Sequence, residues 1–147
     1  MLQHAEATYP NTEIVSRRCE GDIHRYTMKD AASRARKVAN LLTRLDIQDS
    51  DRVATLAWNN YRHFELYYGI SGFGAVLHTI NPRLFAEQLV YIINHAEDRY
   101  IFVDLTFVPL LEAILPHIGN VEGFIILCDE DKMPETKLPN AQCYETL

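Results

Sequence analysis

The chain has 147 residues, 48% of them hydrophobic and 23% charged, with a formal net charge of −6. A chain of that length forms one domain or a domain-sized piece, with a real core that buries roughly 70% of its unfolded surface. The acidic balance argues against a nucleic-acid grip, which needs clustered Lys and Arg, and no apolar run reaches the ~18 residues of a transmembrane segment.

Three cysteines, Cys19, Cys128 and Cys143, are odd in number and widely spaced. They suggest neither a disulfide framework nor a zinc site. A reducing cytoplasmic compartment is the expected one. In chain order, residues 1–8 read as a short helix closed by Tyr9-Pro10-Asn11. Residues 12–16 and 23–27 are β-type runs around Gly21-Asp22, the pattern of a β-hairpin. Thr27 with Asp30 has the spacing of a capping box. After it Ala31, Ala32, Ala35, Val38, Ala39, Leu42 and Leu45 fall on one helical stripe. Lys29, Arg34, Arg36, Lys37 and Arg44 lie off that stripe, as a solvated face.

Residues 52–57 read as a strand, and Asn59 or Asn60 stands where a helix cap belongs. The helix expected over 61–73 is apolar on most sides. Gly69 and Gly72 within it each cost about 1 kcal/mol of helix propensity relative to Ala. A close backbone approach would explain both. A buried strand follows at 74–80, ended by Asn81-Pro82. Phe85, Leu89, Ile92, Ile93 and Ala96 then share one helix face, and residues 100–103 form the next strand. Such a helix is long enough to cross between parallel strands. Thr106 is expected to cap a helix with Pro109 in its first turn and Pro116 closing it. Residues 123–128 form another buried strand. Residues 129–147 are expected as an exposed connecting segment, after an α/β domain spanning residues 1–128. The predicted fold is thus α/β, an open and mostly parallel sheet covered by helices and preceded by a β-hairpin.

The search for a self-contained active site yields little. Gly69-Ile70-Ser71-Gly72-Phe73-Gly74 runs from helix into strand, the reverse of a phosphate-cradling loop. It also lacks the final glycine of a nucleophile elbow, so Ser71 is rejected as a nucleophile. None of the six histidines stands at metal-binding spacing. His78 sits at the carboxyl end of a predicted strand, where open α/β sheets place their ligands, although a hydrogen-bonded structural histidine is commoner there. Arg83 follows the Asn81-Pro82 turn and suits an anionic ligand, against the plain alternative of an exposed loop arginine. Glu87 is explained by the helix dipole, and Asp104 reads as a turn or cap residue.

Two phrases, DRVATLAWNNYRHFELYYGISGFGAVLHTINPRL and EQLVYIINHAEDRYIFVD, resemble the adenylate-forming (AMP-binding) enzymes. Within these they are most similar to fatty acid–CoA ligases of the long- and medium-chain groups. The likeness runs from about Ala5 to Ile126, which corresponds to the amino-terminal portion of such an enzyme. It implies a two-step reaction in which ATP activates a fatty acid as the acyl-adenylate, and CoA then displaces AMP. Mg²⁺ is the implied metal. The family's Ser/Thr/Gly-rich phosphate loop, its adenine and ribose motifs and its catalytic lysine do not occur in these residues. The resemblance therefore implies an amino-terminal subdomain that is inactive alone, binds no ATP, Mg²⁺ or CoA by itself, and self-associates through exposed apolar surface. It also places Asn81, Pro82 and Arg83 beside the CoA channel. The alternatives are a stand-alone, non-catalytic binding or dimerisation module and an independent doubly wound nucleotide-binding protein.

Overall fold

The structure is a computed structural model that describes residues 1–147. The chain folds into two compact units: residues 1–50 with 59–75, and residues 51–58 with 76–147.

The first unit contains α1 (Leu2–Thr8), the antiparallel hairpin β1 (Glu13–Arg17) and β2 (Ile23–Thr27), α2 (Met28–Arg44) and α3 (Tyr61–Phe73). The α2 start is as the sequence suggests. Thr27 Oγ1 accepts from the Asp30 N–H, and Asp30 returns the bond by accepting from the Thr27 N–H. Asn60 caps α3 by accepting from the His63 N–H. Ala31, Ala32, Ala35, Val38, Leu41 and Leu42 bury the apolar stripe of α2. Gly69 is where α3 comes closest, because a Cβ there would stand 2.5 Å from Val38 Cβ and 2.9 Å from the Ala35 carbonyl oxygen. Gly72 has no such neighbour, so only one of the two glycines is explained by close approach.

The basic face of α2 is partly engaged. Arg36 pairs with Glu6 of α1, and Arg34 pairs with the fully buried Glu65 of α3. A second buried carboxylate, Glu20, is joined by Arg62 at 2.7 Å, with side chains 4% and 1% exposed. Tyr61 packs among these groups, its ring stacked on His24 and lying under Arg62.

The second unit is a five-stranded sheet of β3 (Arg52–Leu56), β4 (Val76–Thr79), β5 (Tyr100–Asp104), β6 (Gly123–Leu127) and β7 (Ala141–Cys143). Its order is β4-β3-β5-β6-β7 and every pair is parallel. Helices α4 (Ala86–Ala96) and α5 (Val108–Ile114) bury Leu89, Ile93, Val108, Leu111 and Ile114 with Ala54, Leu56, Ile101, Val103, Phe124 and Ile126 of the strands. The alternate residues Val53, Phe102 and Ile125 are also fully buried, which is why these strands read as unbroken apolar runs. At the amino edge Arg99 joins Asp51 and Glu122, tying together the residues that precede β5, β3 and β6.

Three local expectations are corrected. Thr106 lies within a 3₁₀ turn (Leu105–Phe107), and no side chain caps α5. Phe85 precedes α4 in extended backbone and is 75% exposed, so it does not join the apolar face assigned to it. Residues 129–147 are not simply an exposed connection, since Ala141–Cys143 adds β7 to the sheet and Leu138 and Tyr144 are buried. Glu112 of α5 anchors the approach to β7, accepting from the Thr136 hydroxyl and the Lys137 N–H, both at 2.7 Å. That carboxylate and the strand pairing act across long sequence separations, and so leave no local periodicity to read.

Candidate functional site

Within the sheet unit, the chain leaves β3 toward β4 on one side and leaves β5 toward β6 on the other. The carboxyl ends of β3 and β5 are therefore the topological switch point, the usual ligand position in open α/β sheets. Three segments meet this edge of the sheet.

The first is the exit of β3, Ala57-Trp58. The Trp58 N–H donates to Asp104 Oδ2 at 2.6 Å. The indole is 43% exposed and lies 5.0 Å from the Phe107 ring, centroid to centroid. The second is the exit of β5. Asp104 is fully buried there, so its carboxylate spans two strands instead of serving only its own turn. Sequence reasoning placed Asp104 at a strand tip but missed Trp58, the single tryptophan of the chain. Its position immediately after a buried strand was the available signal.

The third segment follows β4. Ile80 N–H donates to the Thr55 carbonyl, which keeps the exit of β4 against β3. Asn81 Oδ1 then accepts from the Arg83 N–H at 3.0 Å, and the Asn81 carbonyl accepts from the Leu84 N–H. Pro82, with its fixed φ and no donor, sits inside this turn. The turn leaves Asn81 and Arg83 exposed, with the Arg83 guanidinium making no ion pair within the chain. An exposed cation on a hydrogen-bonded turn suits a phosphate-bearing ligand.

His78 takes the structural role. Its Nδ1 lies 2.7 Å from Asp98 Oδ2, with the carboxylate fully buried and the imidazole 23% exposed. Glu87 is exposed in the first turn of α4, as the dipole reading requires. Ser71 is exposed within α3, far in geometry from a strand-to-helix elbow. Gly74 ends that helix with a φ of 107°, so the glycine-rich stretch closes a helix and does not open one onto a phosphate. No group of three or more His, Cys, Asp or Glu is placed for a metal ion.

A family model described as AMP-binding enzyme matches residues 2–145. The chain is 45% identical over its whole length to the 3-methylmercaptopropionyl-CoA ligase of Ruegeria lacuscaerulensis, covering 27% of that protein. It is 41% identical, again over its whole length, to the medium-chain-fatty-acid–CoA ligase of Ectopseudomonas oleovorans, covering 27% of it. Among solved structures, the N-terminal domain of FACL13 from Mycobacterium tuberculosis superposes with a TM-score of 0.76 at 27% identity. That match covers 85% of the chain and 32% of the other. The chain therefore spans about a quarter of the length of the ligases it resembles.

Proposed function

Because the chain belongs to the family of AMP-binding enzymes, we propose that it is the amino-terminal α/β portion of a fatty acid–CoA ligase. The parent enzyme uses ATP and Mg²⁺ to convert a fatty acid to its adenylate, then forms the thioester with CoA. The observation that carries this reading is 41–45% identity along the whole chain to two acyl-CoA ligases. The 45% relative acts on a short thioether acid by its name, which makes 3-methylmercaptopropionate a second substrate to set beside medium- and long-chain fatty acids. In this reading the 147 residues alone are inactive, because the phosphate loop and catalytic lysine expected of the family do not occur in them. The domain reading is an amino-terminal subdomain over residues 1–128, with residues 129–147 adding β7 to its sheet before leading to the remainder. The parent works in the cytoplasm in this reading; no helix of the chain is long and apolar enough to cross a membrane.

Asn81, Pro82 and Arg83 border the CoA channel in this reading, with Arg83 meeting a phosphate of CoA. Exposed Val76, Phe85 and Tyr91 of the sheet unit supply apolar surface for self-association of the isolated chain; a monodisperse monomer in light scattering would count against it. The decisive assay uses the parent enzyme and follows ATP–pyrophosphate exchange and thioester formation separately. R83A is expected to slow the thioester step about tenfold, the loss of roughly 1.4 kcal/mol of transition-state binding, while exchange is nearly unchanged. Equal losses in both half-reactions would assign Arg83 a structural role. No exchange with any fatty acid or with 3-methylmercaptopropionate would remove the ligase reading.

A further inference from the structure

Two of the cysteines that the sequence leaves unconnected are brought together by the sheet. Cys128 follows β6, and Cys143 ends β7, the adjacent parallel strand. Their sulfurs lie 3.8 Å apart, and Cys143 Sγ donates to the Cys128 carbonyl at 3.1 Å. Cys128 is fully buried and Cys143 is 7% exposed. Both belong to the apolar cluster that contains Leu138 and Ile126.

We propose that Cys128 and Cys143 are a paired redox-modification site that closes to a disulfide under peroxide. A disulfide sulfur pair stands about 2 Å apart, so closure asks the two side chains to approach by less than a bond's length each. Cys143 reacts first, being the more exposed of the two and on a three-residue edge strand. Its thiolate attacks one peroxide oxygen; the S–O bond forms, the O–O bond breaks, and the departing hydroxide takes the thiol proton as water. The Cys128 thiolate then attacks the sulfenic sulfur. The S–S bond forms, the S–O bond breaks, and a second water leaves with the second proton. Two thiols are oxidised and one peroxide is reduced.

Met133 Sδ lies 3.9 Å from Cys128 Sγ, so the same place offers three soft donors to a monovalent copper ion. Charge decides between the two. Two thiolates and a thioether around such a cation carry a net negative charge, which apolar surroundings disfavour, whereas a disulfide is neutral. The covalent product also fastens the short strand β7 to β6, closing the loop between positions 128 and 143 and restricting the unfolded chain.

The test oxidises the reduced 147-residue chain with a small excess of hydrogen peroxide, alkylates the remaining thiols, and maps the peptides by mass spectrometry. The expected result is a peptide linking Cys128 to Cys143 as the main product, with Cys19 alkylated and dithiothreitol restoring both thiols. The oxidised chain should melt at a higher temperature than the reduced one. C19A should keep the link and C143A should abolish it. Alkylation of both Cys128 and Cys143 after oxidation would overturn the proposal. So would sulfinic acid at Cys143 without a link, a link through Cys19, or stoichiometric copper retained by the thiols in place of crosslinking.

Discussion

The Trp58 N–H donates to Asp104 Oδ2 at 2.6 Å, so a buried carboxylate at the end of β5 holds the exit of β3. The two residues are 46 positions apart in sequence yet share the carboxyl edge of one sheet. Removing the carboxylate leaves the Trp58 backbone donor without this partner at a part-buried position, which costs about 1 kcal/mol. D104A should lower the stability measured in urea by that amount and shift the emission of Trp58, the only tryptophan. D104N, which keeps an acceptor oxygen, should recover most of the loss. Wild-type stability in D104A would show that the bond contributes nothing.

Gly69 and Gly72 lie three positions apart in α3 and should respond oppositely to alanine. At Gly69 the new Cβ would meet Val38 Cβ at 2.5 Å, and forcing a methyl into such packing costs typically 1–3 kcal/mol. At Gly72 there is open space, so the helix propensity of alanine should add up to about 1 kcal/mol. Thermal melts of G69A and G72A decide the matter. A stabilised G69A would mean that α2 and α3 separate at no cost.

Arg62 and Glu20 form a pair with both side chains almost wholly buried. Deleting one partner strands the other charge away from water, and such changes cost roughly 3–5 kcal/mol. R62M and E20M should each approach that loss in chemical denaturation. The double variant should regain much of it, because an apolar pair carries no charge to desolvate. Losses that simply add would place the two charges in separate environments.

Acid should loosen the segment leading to β7. The Thr136 hydroxyl, followed by the Lys137 N–H, holds the Glu112 carboxyl below its usual pKa in the folded chain. A depressed folded value stabilises the fold above the unfolded pKa, about 4.3. That contribution fades as pH falls through the lower folded value. Hydrogen-exchange protection at Leu138 and Cys143, corrected for the intrinsic exchange rate at each pH, should therefore fall in the acid range. E112Q should show a smaller change between neutral and acid pH. Identical pH profiles for the two chains would remove Glu112 as the anchor.

Local chemistry was enough for much of the fold. Thr27 and Asp30 announce the start of α2, Asn60 announces α3, and unbroken apolar runs mark β3, β5 and β6, because each signal acts within a few residues of itself. The family, too, is legible in the wording around Asn81-Pro82-Arg83 and the phrases on either side of it. Only the folded chain decides what distant residues do to one another. It puts Asp104 under the Trp58 amide, turns His78 onto Asp98, adds β7 through the reach of Glu112, and brings Cys143 to Cys128. Parallel pairing places side by side strands that the sequence holds far apart, so no window of neighbouring residues contains those pairings.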